Sequence, residues 1–341
     1  MSDTKKYNIS VVLATENVEE QANGYLPQLC AHLEECVGID TYEVIVCDVS
    51  SGPAMCIANF PGKVRCTPRF EGETAVKTID RAIHHAIQPY VLVLEDGILP
   101  TQNYFADTLP LFETNKHLFG MSGDTISVYD QHGDGPKFAY LSRGIVHLME
   151  SKSKSNSENA TITLASHNWL CDREKYCLLG GLSSHFTSVE MAKNDLCIRA
   201  WRENMVCGYS FKAHTKKYIG ALATTEAPEQ LQRTNEEQFN KLLLSYLHTS
   251  GFQHAQFWIR SLMNYINAKI FHAKSKLSGL NQMKKKYKEI SQQRTWYNNR
   301  IKSMSLQDVI ENYFSEAGNH DIPVISDEED QPVHQENNIP T

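Results

Sequence analysis

Val91-Leu92-Val93-Leu94-Glu95-Asp96-Gly97-Ile98-Leu99-Pro100 is the stretch on which the reading of this chain turns. An apolar, partly β-branched run has the look of a buried strand, and it ends abruptly in two adjacent carboxylates. A strand interior has no use for such acids. At the carboxyl end of a parallel strand they lie where open α/β sheets bind ligands. Oxygen donors in that place suit Mg²⁺ or Mn²⁺ carrying a nucleotide diphosphate. A strand that simply ends in a solvated turn is the competing reading of the same ten residues.

Working outward, the segments before this stretch alternate strand and helix. Ile9–Ala14 and Tyr42–Cys47 read as buried strands, and Lys63–Cys66 as a short one. Val18–Cys36 carries helical spacing through Leu26, Leu29 and Leu33. Glu73–Ile87 does the same through Ala75, Ile79, Ala82, Ile83 and Ala86. Asp48-Val49-Ser50-Ser51-Gly52-Pro53 is a turn. Strands alternating with helices imply βαβ units, a mostly parallel sheet, and strand ends gathered on one edge.

After the stretch the pattern loosens. Residues 130–136 read as a loop, as does the Ser/Lys-rich segment 151–159. Trp169–Leu179 is expected to be a helix capped by Gly180-Gly181, and Asp195–Glu203 another. From Glu229 on, long helices are expected. Residues 269–302 hold ten Lys or Arg and one acid, Glu289. That is either a solvated helix pair or a basic surface that meets anionic lipid or an anionic substrate. From Glu316 the chain turns acidic and poor in apolar residues, which reads as a disordered tail.

The chain has 341 residues and net charge −7, so whole-chain charge does not point to nucleic acid. Nine scattered cysteines without a C-x-x-C pair argue against a disulfide framework or a zinc site. Met1–Asn8 lacks the apolar region of a signal peptide. The closest approach to a membrane span, Phe257–Phe271, is interrupted by Arg260 and Lys269. A cytoplasmic location is expected, with peripheral contact at the inner face of a membrane through the basic region.

Several pieces, taken in order, resemble a family-2 glycosyltransferase of the GT-A fold over residues 8–220. Ile9–Asn17 resembles the opening strand with its Thr-x-Asn exit, and Val44–Ser50 the second strand with its Asp-x-Ser end. Glu73–Ala86 resembles the helix after the donor loop, and Leu94–Pro100 the strand bearing the metal motif. Gly180-Gly181-Leu182 and Asp195-Leu196-Cys197-Ile198-Arg199 resemble acceptor-side signatures. The resemblance implies an α/β fold of GT-A type, a mostly parallel sheet flanked by helices with a helical C-terminal extension. Residues 1–225 would form the transferase domain, split into a donor half (8–100) and an acceptor half (101–225). Residues 226–315 would be the basic helical region and 316–341 the tail.

The resemblance also assigns residues. Thr15, Asn17 and Asp48 match nucleotide-sugar contacts, Asp48 having a turn-capping role as its alternative. Lys77 and Asp80 are donor-side candidates or solvated helix residues. Glu95, Asp96 and the late His214 are the metal candidates, with Asp96 counted on the donor side as well; His214 is equally a buried structural histidine. Two departures stand out. Gly97 occupies the place of the metal motif's last acid. Ala192-Lys193 occupies the place of the Glu-Asp pair that supplies the catalytic base. Glu190 is the nearest substitute, with Asp172 as a second candidate acid. Asp195 is either a catalytic acid or the partner of Arg199 at i+4. Asp124 and Trp169 are expected to line the acceptor pocket, unless Trp169 is core.

The expected activity is inverting transfer of a sugar, from a UDP-sugar, to a hydroxyl of a glycan or lipid-linked acceptor, with Mn²⁺ or Mg²⁺. The alternative is a non-catalytic module of the same fold acting as partner of an active transferase. Homo-oligomerisation through the C-terminal helices is a further expectation. A nucleotidyltransferase is disfavoured, because Thr15-Glu16-Asn17-Val18-Glu19-Glu20 is acidic where a glycine-rich phosphate loop would lie.

Overall fold

The computed structural model describes residues 6–18, 24–50, 63–127, 135–151, 158–217, 230–270, 274–301, 303–314 and 322–323. Apart from residues 322–323, the acidic tail read from Glu316 lies outside them, as do most of the two loops read at 130–136 and 151–159.

Strands β1 (Tyr7–Thr15), β2 (Ile39–Asp48), β3 (Val64–Thr67) and β4 (Tyr90–Glu95) lie side by side and parallel, in the order β3-β2-β1-β4. Val11, Val12 and Leu13 are fully buried, as are Val91, Leu92 and Leu94. A strand buried on both faces reads as an unbroken apolar run, because helices cover the sheet on each side. Helix α1 (Leu26–Glu35) turns Leu26, Leu29 and Leu33 inward. Helix α2 (Ala75–His85) starts at its cap Thr74, whose hydroxyl accepts the Lys77 N–H, and buries Val76, Ile79, Ala82 and Ile83. Each large aliphatic side chain so buried contributes about 1.5–3 kcal/mol.

The second half of the sheet is built differently. Strand β5 (Ile98–Pro100) leads into helix α3 (Tyr104–Thr114) and then strand β6 (Leu118–Ser127). The hairpin of β7 (Lys137–Ser142) and β8 (Ile145–Glu150) stands apart as a two-stranded sheet. Short strand β9 (Glu158–Ala160) follows, and β10 (Asn168–Asp172) runs antiparallel between β4 and β6. Helix α4 (Arg173–Leu178) and helix α5 (Val189–Arg202) then precede β11 (Val206–Lys217), which pairs parallel with β6 and antiparallel with β5 and β9. Among the described residues β1, β2, β3, β4, β6 and β11 run one way, so the main sheet is mostly parallel.

The helix expected over Trp169–Leu179 is half strand. Asn168–Asp172 pairs on both sides, and the helix begins only where the Asp172 carboxylate accepts the Lys175 N–H. Sheet pairing overrides the helical spacing. Asn168 fixes this junction from within. Its side chain accepts from Tyr104 Oη (3.0 Å) and the Gly123 N–H (2.9 Å) and donates to Thr125 Oγ1 (3.1 Å).

The C-terminal helices are α6 (Gln230–His248), α7 (Gly251–Ile270), α8 (Lys274–Lys285), α9 (Tyr287–Arg300) and α10 (Leu306–Tyr313). Phe239, Leu243, Phe257, Ile290, Tyr297, Leu306 and Phe314 belong to the same buried cluster as the strands. The extension is therefore packed onto the α/β core through a shared apolar interior.

Candidate functional site

The parallel strands deliver their carboxyl ends to one edge, and register fixes which side chains meet there. Thr15 lies opposite Asp48, and Ala14 opposite Glu95. Thr15 is fully buried, and its hydroxyl accepts the Asn17 N–H at 3.0 Å, which turns the chain away from the strand. The Asp48 carboxylate accepts the Ser50 N–H at 3.0 Å, and the Val49 N–H bonds the Thr15 carbonyl. Thr15, Asn17 and Asp48 thus form one row, and Asp48 fills its turn-capping role within that row.

Asp96 completes the row from β4. Gly97 follows it at φ +73°, a left-handed conformation that glycine adopts freely, and this returns the chain into β5. Asp96 is largely buried, and its Oδ1 has no hydrogen-bond partner among the described residues. Burial pushes its carboxyl up to about 6; bonds from Thr15 and the Glu16 main chain pull it down, and the charges of Glu16 and Glu95 push it up further. The folded state therefore holds this proton to higher pH than the unfolded chain does. Stability falls as pH rises from the ordinary carboxylate range through about 6. Asp96→Asn should raise the unfolding free energy by about 1–3 kcal/mol at pH 7.5. The gain should disappear below about pH 4, where both states of the wild type are protonated. Urea unfolding of the two proteins at both pH values checks this, and equal stability at pH 7.5 would contradict it.

The opposite wall comes from the segment that follows β5. Because β10 is antiparallel, its leading end faces the same edge. His167 Nδ1 lies 2.6 Å from Glu95 Oε2, and the Glu95 N–H bonds the His167 carbonyl. The neighbouring Ser166 hydroxyl donates to Glu190 Oε1 at 3.3 Å, and Lys137 Nζ lies 3.5 Å from the same oxygen. Glu190 sits in the first turn of α5, capped by Ser188, a favourable place for a carboxylate. Its side chain is 50% exposed. Two adjacent loop residues, Ser166 and His167, therefore tie Glu190 to Glu95.

Lys193 stands where the resemblance expects an acid. It is almost fully buried and donates from Nζ to the Ala165 carbonyl at 2.6 Å. The residue at the expected base position anchors the 165–168 loop from beneath instead of facing the edge. His167, Ser166 and Lys137 were not legible in the sequence, because only the antiparallel insertion of β10 turns that loop toward the strand ends.

Other expected site residues are engaged in contacts of their own. Asp195 is fully buried; Oδ2 accepts from Arg199 Nε (3.0 Å) and Tyr297 Oη (2.7 Å), and Oδ1 from His248 Nε2 (2.9 Å). Burial opposes its charge, but Arg199, His248 and Tyr297 outweigh it and hold the carboxyl below the ordinary value. With every oxygen engaged, it is the structural partner of Arg199, not a base open to an acceptor. Asp172 caps α4 opposite Tyr90, at the far end of β4 from the site. Trp169 is 2% exposed and part of the core, so it offers no platform to an acceptor. Asp124 accepts from Tyr209 Oη at 3.2 Å in the body of β6.

Lys77 is exposed on the first turn of α2, near His185. Asp80 accepts from Tyr176 Oη (2.6 Å) and the Leu182 N–H (2.8 Å), so it clasps the Gly180-Gly181 turn. A Cβ on Gly181, at φ +68°, would fall 2.2 Å from Asp80 Oδ1, which is why that turn takes glycine. His214 lies opposite Asp124 on β11, and its buried Nδ1 has no hydrogen-bond partner among the described residues. Among the described residues no three His, Cys, Asp or Glu side chains are placed to hold a metal ion. Glu95, Asp96 and His214 therefore do not form such a three-residue set, and the Glu95 carboxylate is engaged by His167.

No family model matches the sequence, and comparison with curated proteins found no match. Solved structures are similar. GalNAc-T7, crystallised with UDP, GalNAc and Mn²⁺, superposes with a TM-score of 0.58 at 10% identity, over 91% of this chain and 57% of that one. This chain thus spans little more than half the length of that relative. S. aureus TarS 1–349 in complex with UDP-GlcNAc gives a TM-score of 0.48 at 13% identity, over 73% of this chain and 69% of that one. The likeness is one of fold: the sheet with its flanking helices is of the GT-A type.

Proposed function

We propose that this chain is an inverting glycosyltransferase that moves a sugar from a UDP-sugar to a hydroxyl of a glycan or lipid-linked acceptor. The observation that carries this reading is the pairing of two carboxylate sites across one strand edge. Thr15, Asp48 and the half-free Asp96 line one side, and Glu190 lies on the other, tied to it through Ser166, His167 and Glu95. The donor lies over the β1, β2 and β4 ends, where carboxylates accept from uracil N3–H and ribose hydroxyls. Glu190 takes the acceptor proton. The acceptor oxygen then bonds the anomeric carbon as the bond to the diphosphate breaks, and UDP leaves with the electron pair. Lys137 and His167 are the nearby groups that can offset charge on the leaving diphosphate.

The buried Lys193 favours a second reading, a non-catalytic module of this fold that binds nucleotide or glycan beside an active transferase. Calorimetry separates the two. Titration with UDP and UDP-sugars should give binding whose affinity changes little between Mn²⁺ and a chelator, and transfer by the pure chain should follow. Nucleotide binding without transfer to any acceptor selects the module. No binding of any UDP compound overturns the donor assignment.

A further inference from the structure

Helix α7 buries one face and leaves the other bare. Phe257, Ser261 and Ala268 turn inward, and the Arg260 guanidinium donates to the Ser142 carbonyl at 3.2 Å. The β7–β8 turn closes on the same side: a Cβ on Gly144 would fall 2.3 Å from the Phe257 nitrogen. This clamp sets which face of the helix turns inward. Outward, Phe252 is 75% exposed, Ile259 64%, Leu262 59%, Met263 53% and Ile266 42%. Their spacing sets them on one stripe along a twenty-residue helix, with no charged residue among them. A soluble surface scatters its exposed apolar residues singly; a contiguous stripe of this length marks a contact surface.

What borders the stripe identifies its occupant. Trp258, 43% exposed, lies on its flank, and its ring meets that of Tyr287 at 6.1 Å. Tyr287 sits at the joint between α8 and α9, where Lys284, Lys285 and Lys288 are exposed. Moving sideways from the stripe, the surface passes from aliphatic residues to an aromatic pair to lysines. That is the order in which side chains meet acyl chains, headgroup boundary and anionic phosphates. Residues 251–302 hold eleven Lys or Arg and one acid, in a chain of net charge −7. A second copy of the chain would bring these lysines against themselves, whereas an anionic bilayer complements them. No described helix is long and apolar enough to cross a membrane, so α7 is suited to lie in the interface plane.

We propose that the outward face of α7, bordered by Trp258, Tyr287 and the Lys284–Lys288 turn, rests on an anionic lipid bilayer. The test is flotation of the full chain with vesicles of phosphatidylglycerol mixed with phosphatidylcholine, against vesicles of phosphatidylcholine alone. The wild type should float with the anionic vesicles only, and less so as salt is raised. The double variant Leu262→Glu, Ile266→Glu should bind at least roughly tenfold more weakly. Lys284→Glu with Lys285→Glu and Lys288→Glu should lose roughly fivefold or more. All these side chains are exposed, so the variants should melt with the wild type. Absence of flotation at low salt, or flotation unaltered in both variants, overturns the proposal. So does a lipid-free dimer that Leu262→Glu dissociates, which would assign the face to a second copy. Lipid binding is read without sugar transfer, so its failure leaves the transferase reading standing, and the reverse also holds.

Discussion

Asp195→Ala will destabilise the fold by about 3–5 kcal/mol, the largest loss expected from any single substitution at a polar residue here. The carboxylate is fully buried and closes a network drawn from three elements. Arg199 comes from α5, His248 from the end of α6 and Tyr297 from α9. Arg199 in turn donates to the carbonyls of Leu179 and Gly181, so the same charge pair holds the turn that Asp80 clasps from α2. Removing Asp195 strands a buried guanidinium with no counter-charge. It also removes the acceptor through which His248 of α6 and Tyr297 of α9 hydrogen-bond to the α/β core. His248 lies within the pair as a neutral ring. Burial lowers its pKa more than Asp195 raises it, Nε2 donates to Asp195, and Nδ1 faces Arg202 at 3.5 Å. Because the folded-state pKa of Asp195 is depressed, its contribution is present above the ordinary carboxylate range and lost as pH falls through the folded value. Urea unfolding at neutral pH and a thermal series toward low pH measure both effects. A loss below about 1 kcal/mol would show that the network carries little net stability.

The segment from β1 to β4 was readable from the chain because its signals are local. The runs at Ile9–Ala14, Tyr42–Cys47 and Val91–Leu94 are apolar but for Ser10 and Glu43, and α2 keeps helical spacing through Ile79, Ala82 and Ile83. The segment from β5 to β11 was not, because its key facts are pairings. Nothing in Trp169-Leu170-Cys171 announces that it will run antiparallel between β4 and β6. That insertion puts Trp169 into the core, moves Asp172 to the far end of the sheet, and swings His167 onto Glu95. The four-residue spacing of Asp195 and Arg199 correctly suggested their ion pair. It was silent on His248 and Tyr297, which lie more than fifty residues away in the chain. Likewise α7 was read by its interruptions at Arg260 and Lys269, and the apolar stripe shows only when burial separates its two faces.

Glu190→Gln should lower kcat by about 10²–10⁴ while leaving UDP affinity unchanged. That is about 3–5 kcal/mol of barrier, the scale expected when a positioned base is removed and the rest of the site persists. The substitution is chosen to be nearly isosteric. The glutamine carbonyl can still accept from the Ser166 hydroxyl, and the loss of the half-exposed pair with Lys137 at 3.5 Å costs about 1 kcal/mol. Folding should therefore be untouched, in contrast to Asp195→Ala, and the two variants separate a chemical role from a structural one. The competing candidates make the assignment sharp. Asp195 is sealed, Asp172 is at the wrong edge, and Lys193 is buried against the Ala165 carbonyl. Glu190 alone among the sequence-derived base candidates is both exposed and tied to the loop that touches Glu95. Single-turnover transfer with UDP-sugar, followed across pH, provides the measurement. A deprotonation limb present in the wild type and absent in Glu190→Gln supports the base. Transfer at the wild-type rate in the variant would remove Glu190 from the chemistry, and with it the base on which the inverting mechanism depends.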